Sequence, residues 1–261
     1  LGNTDAMLKL ALCYKKGDGV PQDKTKAIQL FQQAADLGHT LAINKLAVCY
    51  EKGDGVPQDK AKAIELYRQA ADLGNTHALN ILGVCYEKGD GVPQDKSKAI
   101  QLYQQASDLG NTNAMFDLGN SYLKGGGVPQ DKSKAVQLFQ QAADLGNTHA
   151  MFGLALCYYR GDGILQDKPK AIQLLQQAAH LGHTRAISTL AVCYLKGDGV
   201  AQDKSKAIQL YQQAADLGNT HAMANLAVFY MEGVGVPQDK SKAFQLFQQA
   251  ADLGDTDAMN N

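Results

Sequence analysis

An all-α fold of stacked helix-turn-helix units, an α-solenoid with a 36-residue period, is what this sequence predicts, and three observations predict it. The pair Leu-Gly begins at Leu1, Leu37, Leu73, Leu109, Leu145, Leu181, Leu217 and Leu253, always at the same interval. Within each interval, two stretches carry apolar residues at helical spacing on either side of a glycine-rich turn. Of the 261 residues 45% are apolar, ample for a large core. One short hairpin of helices cannot cover both its faces alone, so the units must stack on each other. The prediction is a single domain, 1–261, with seven full repeats (1–36, 37–72, 73–108, 109–144, 145–180, 181–216 and 217–252) and a partial eighth at 253–261.

The elements of one unit follow in order. Ala6, Leu10, Cys13 and Tyr14 fall at i, i+4, i+7 and i+8, one face of a first helix, with Asn3 or Thr4 as its cap. In a second helix Ala27, Leu30, Phe31 and Ala34 share a face, Asp23 caps the start and Gly38 follows the end. Between such helices lies a turn such as YEKGDGVPQDKAKA, Tyr50 to Ala63. A phosphate loop would need Gly-Lys-Ser/Thr after a strand, whereas Val56 and Pro57 follow Gly55 here, after a helix. A calcium loop would need more acids than Asp54 and Asp59. As a joint every residue has a use: Gly53 stops a helix, Gly55 permits positive φ, Val56 tucks inward, Pro57 stiffens the turn and Asp59 caps the next helix.

The recurring positions Ala6, Leu10, Ala11, Tyr14, Gly17, Gly19, Val20, Asp23, Lys26, Ala27, Ala34, Ala35 and Gly38 resemble the Sel1-like repeat, a relative of the tetratricopeptide repeat with a longer Gly-x-Gly-Val turn. The resemblance covers essentially the whole chain. Departures are few: Gly126 and Val234 replace the loop Asp, Leu165 and Ala201 replace Pro, and Leu175 replaces the aromatic. The resemblance implies a right-handed superhelix of helix pairs that binds other proteins, an adaptor without catalysis of its own. A ligand-binding or hydrolase-like role, as in the family's cysteine-rich branch, and a purely structural spacer are the alternatives.

Seven copies of one unit show where the chain varies. The turn and second helix hardly change, and Gln-Asp-Lys recurs in all seven. Differences gather on the first helix at places five, eight, nine, twelve and fifteen, which trace one stripe. In the related tetratricopeptide family the matching stripe lines the concave groove. Early units offer charges there, Lys9, Lys45, Glu51 and Glu87. Later units offer Phe116, Leu123, Phe152, Tyr159, Leu195 and Met231, with Asn120, His149 and His221 as polar contacts. These residues are the expected surface for a partner peptide or helix. Drift among duplicates, with the aromatics packed on neighbouring units, is the competing explanation. If the surface reading holds, replacing Phe152 and Tyr159 by alanine weakens partner capture and leaves helix content unchanged.

Other side chains point to less. Cys13, Cys49, Cys85, Cys157 and Cys193 share one repeat position that also accepts Ser121 and Phe229, so they read as packing residues too far apart for disulfides. Unpaired cysteines favour a reducing compartment, an argument weakened where they are buried, and secretion stays open. His77, His149 and His221 sit two units apart, too far for a shared metal, and His39, His180 and His183 lie at turns. The lysine pairs such as Lys24 and Lys26 read as a solvated face. Neither a catalytic set nor a cofactor motif is expected. Net charge is −1, which argues against nucleic-acid binding, and no apolar run approaches a membrane span. The chain starts on Leu1 rather than Met and both ends cut repeat material, which reads as a fragment of a longer protein, as a monomer or as end-to-end association through uncapped repeats.

Overall fold

The computed structural model describes residues 3–259, with side chains up to Gly254. Leu1, Gly2 and the last two residues of the expected eighth repeat, Asn260 and Asn261, lie outside the described residues. Contacts divide the chain at the fourth glycine turn into two compact units, Leu1–Gln130 and Asp131–Asn261. The first holds α1 (Thr4–Lys16), α2 (Lys24–Asp36), α3 (Thr40–Lys52), α4 (Lys60–Asp72), α5 (Thr76–Lys88), α6 (Lys96–Asp108) and α7 (Thr112–Lys124). The second holds α8 (Lys132–Asp144), α9 (Thr148–Arg160), α10 (Lys168–His180), α11 (Thr184–Lys196), α12 (Lys204–Asp216), α13 (Thr220–Glu232) and α14 (Lys240–Met259). No strand occurs among the described residues. Within each unit every helix packs on the next in sequence.

The turn explains why Gln-Asp-Lys never changes. Gly17, at φ 76°, ends α1 and donates its N–H to the Cys13 carbonyl. Gln22 reaches back to the Lys15 carbonyl at 2.8 Å, satisfying an open acceptor at the helix end. Asp23 accepts from the Lys26 amide at 2.9 Å and caps α2. Asn3 rather than Thr4 caps α1, accepting from the Ala6 amide. The lysine then links repeats. Lys24 reaches Asp54 in the next turn at 2.9 Å, and Lys60–Asp90, Lys132–Asp162 and Lys168–Asp198 repeat the bridge at 2.7, 2.6 and 2.8 Å. The second lysines Lys26, Lys98, Lys170, Lys206 and Lys242 lie over a tyrosine ring of their own repeat, Lys26 over Tyr14 at 4.5 Å. The lysine face read from sequence as merely solvated is therefore largely engaged.

The second glycine of the turn has two uses. Gly55 sits at φ 85°, and a Cβ there would stand 2.9 Å from the Lys24 Cβ and 3.1 Å from its carbonyl oxygen. The turn can lie against the preceding second helix only because no side chain intervenes.

Within the two units, α3, α5, α9, α11 and α13 are each held between two second helices, so Leu46, Leu82, Leu154, Leu190 and Leu226 are buried. The face expected in the first repeat is the exception. Leu10 is exposed and Ala6 with it, because α1 packs on α2 without a preceding second helix. In α2 the expected face is found, with Ala27, Phe31 and Ala34 buried and Leu30 half-buried. α14 differs from the other second helices by running on through Leu253 and Gly254, where the others stop at a left-handed glycine such as Gly38 at φ 79°.

Candidate functional site

The variable stripe behaves differently in the two units. In the first, some of its charges bond within the fold. Lys15 reaches Asp54 at 2.9 Å, and Tyr67 and Tyr103 donate to Glu51 and Glu87 at 2.7 Å. Lys9, Lys45 and Glu87 are exposed, so the charges expected along this stripe are only partly tied up by the fold. At the eighth place, Asn44 and Asn80 are buried, and the side-chain carbonyl oxygen of each has no partner. The Asn80 amide donates to Asp117 at 3.2 Å. Burial pushes the Asp117 carboxyl up to about 6, with nearby Glu87 adding to the shift. Phe116, Asn120 and Leu123 lie half-buried along α7.

In the second unit the stripe lines open space. Phe152, Ala155, Leu156, Tyr159 and Arg160 from α9 join Arg185, Thr189, Val192 and Cys193 from α11, over Leu175 of α10, around a cleft of about 360 Å³. A neighbouring cleft of about 250 Å³ shares Phe152, Arg185, Thr189 and Val192 and adds Ser188, Tyr211, Asn219, His221 and Asn225. Phe152 is only 8% exposed, which corrects its reading as a solvent-facing anchor. Its ring stacks on His183 at 5.1 Å between centroids, and the Arg185 guanidinium lies 5.0 Å over it. Aromatic packing between repeats, the competing explanation, holds for this residue. The phenyl group forms the floor where the two clefts meet.

Tyr159 is fixed at the rim. Its hydroxyl donates to Asp198, which also takes Lys168 at 2.8 Å, and Lys168 lies 5.3 Å over the Tyr159 ring. The bond to Asp198, and burial after it, push the phenol up to about 12, so it stays a donor. Leu195 is half-buried against the core and Met231 is 37% exposed on α13.

The histidines take a role the sequence did not assign. His183 caps α11, its Nδ1 accepting from the Ala186 amide at 3.1 Å. That bond requires an unprotonated Nδ1, so Nε2 carries the proton and donates to His149 Nδ1 at 3.1 Å. Burial, then the adjacent His149 and Arg185, hold His183 down at about 4. His39 caps α3 in the same way and meets Asp5 at 3.0 Å. His221 lies on the second cleft.

The five cysteines are free. Burial pushes the Cys85 and Cys157 thiols up to about 11, which makes them poor nucleophiles. Among the described residues no three His, Cys, Asp or Glu side chains gather as metal ligands.

Sequence reasoning named Phe152, Tyr159 and His221 but missed Arg160, Arg185, Leu156, Thr189 and Val192. A signal was present for most of them. Arg185, Thr189, Leu156 and Val192 occupy places five, nine and twelve, already marked as variable.

No curated protein matches the chain. Several solved structures do. A Sel1 repeat protein from Oxalobacter formigenes is 29% identical over 96% of this chain and 99% of its own, with a TM-score of 0.86. The antigen c5321 of uropathogenic Escherichia coli, described as displaying an SLR fold, is 32% identical over 98% of this chain, with a TM-score of 0.77. The chain spans 55% of that protein's length. The immunity protein PA5088 of Pseudomonas aeruginosa is 26% identical over 84% of this chain and 82% of its own, with a TM-score of 0.57. The Sel1 repeat model matches seven times, at residues 4–39, 40–75, 76–111, 112–147, 148–183, 185–219 and 220–255. With these seven matches covering most of its length, the chain belongs to the Sel1 repeat family.

Proposed function

We propose that this chain is a docking scaffold that holds a segment of another protein across α9 and α11. Sel1 repeat proteins generally bind protein partners, and the identity of this one's partner rests on its own side chains. The observation that carries the reading is the joined cleft of the second unit. It is walled by variable-place residues, floored by Phe152, and continues from one repeat to the next rather than closing around a point. An open trough of apolar, hydroxyl, amide and cationic groups suits an extended peptide or a helix face. The sequence-proposed contacts Tyr159 and His221 belong to it, and Leu195 and Met231 follow on the same stripe. Phe116, Asn120 and Leu123 on α7 are proposed contacts of the first unit. The hydrolase-like alternative is less well supported, because the cleft's cysteine, Cys193, has its thiol pushed up by burial.

The test replaces two wall residues, Leu156→Gln with Val192→Gln. Both are half-buried, and glutamine can keep its stem on the wall while its amide reaches water. Circular dichroism is expected to stay at the wild-type level. Affinity capture from the source organism, read by mass spectrometry, is expected to lose the proteins that wild type retains. Retention of the same set by both would remove the cleft from recognition.

A further inference from the structure

The joined cleft lies on the second unit's first helices and gathers two of the chain's three arginines, Arg160 and Arg185. The third, Arg68, donates to the Tyr86 hydroxyl at 2.8 Å. Among the described residues neither Arg160 nor Arg185 forms an ion pair. No carboxylate lines either part of the cleft, nor the adjoining hollow by Thr184, Arg185 and His221. Asp198, the acid bonded to the rim residue Tyr159, is already engaged by Tyr159 and Lys168. This contrasts with the second-helix lysines, four of which are matched by a loop aspartate. In a chain of net charge −1, unmatched positive charge at an apolar cleft is a local feature of that site.

We propose that the segment seated here is acidic: a peptide stretch of another protein with a carboxylate taken by Arg160 or Arg185 and an apolar side chain set against Phe152, Leu156 and Val192. This rests on the docking reading above. Arg185 is stacked on Phe152, so one face of its guanidinium is covered while its edge of N–H donors stays available to a carboxylate. Charge complementarity with a nearby apolar floor selects for both features in one segment. A nucleic acid fits less well, because a phosphate backbone needs a row of cations and the cleft supplies two arginines.

The experiment selects short random peptides displayed on phage against the whole chain. One selected peptide is then compared with a twin in which Gln and Asn replace Glu and Asp, by fluorescence anisotropy. The expected result is enrichment of acidic residues beside leucine or aromatic ones, with the acidic peptide binding about tenfold tighter than its twin at low salt. Arg160→Gln with Arg185→Gln is expected to bring the two peptides level and leave the twin's affinity unchanged. Selected peptides that are lost with Leu156→Gln and Val192→Gln but show no acidic preference overturn this inference and leave the docking reading standing. Selected peptides indifferent to those two substitutions, or no selected peptide at all, overturn both. Tighter binding of a labelled single-stranded oligonucleotide, abolished by the arginine pair, overturns the assignment to a peptide.

Discussion

His183 shows how one side chain serves fold and site together. It caps α11, donates to His149, and carries the Phe152 ring that floors the cleft. Protonation at Nδ1 would break the cap and bring a cation against His149 and Arg185. Burial first, and then His149 and Arg185, hold its proton affinity down at about 4, against 6.5 for an ordinary histidine. Between those values the unfolded chain binds a proton that the folded chain refuses. Stability contributed by neutral His183 is thus full above pH 6.5 and is lost as pH falls toward 4. Asn occupies the same cap in most repeats, as at Asn147 and Asn219. His183→Asn is expected to keep the helix and reduce the acid-side loss by on the order of 1 kcal/mol. Thermal midpoints of the two proteins from pH 4 to 7 check this, since Asp117 and other groups cancel in the difference. Parallel curves would show that His183 does not govern the slope.

At the scale of elements, most of the architecture was legible because turn and cap chemistry is local. Asp23 and Gly53 could be assigned from their neighbours in sequence alone, and the structure places both as expected. Contacts between repeats were less legible. Lys24 and Asp54 are separated by most of a repeat, and nothing in the run around either names the other. The burial of Phe152 was hidden for the same reason, since His183 and Arg185 belong to the following repeat. The turn glycines offer a direct comparison. At Gly182, φ is 82° and an added Cβ meets open space, so Gly182→Ala is expected to cost about 1 kcal/mol from backbone strain alone. At Gly163, φ is 72° and the added Cβ would run into the backbone carbonyl of Lys132. Gly163→Ala is expected to cost roughly twice as much or more, because the turn must lift off α8. Urea midpoints read the difference, and equal losses would mean that the close approach contributes nothing.

Across the whole molecule, the same lysine-to-turn bridge recurs wherever a loop Asp follows a second-helix lysine, and it lapses at two places. Gly126 and Val234 occupy the acceptor's position for Lys96 and Lys204. Gly126 lies outside the left-handed region, and a Cβ there meets nothing nearer than 4.0 Å. Gly126→Asp is therefore expected to form the missing bridge and stabilise the first unit by about 0.5 kcal/mol, an effect that fades at high salt. Chemical denaturation at low and high salt checks it, and a loss of stability at both would show that the turn is shaped differently there.

The invariant glutamine meets the variable stripe at the backbone carbonyl of its fifteenth place, an acceptor that every residue supplies, as Gln22 does at Lys15 and Gln166 at Tyr159. Frame and face are thus specified by separate letters of one repeated word. Face letters whose side chains stand clear of the core, unlike the buried Phe152, can be respelled while the grammar stays intact, so a new binding preference can be written into this scaffold one repeat at a time.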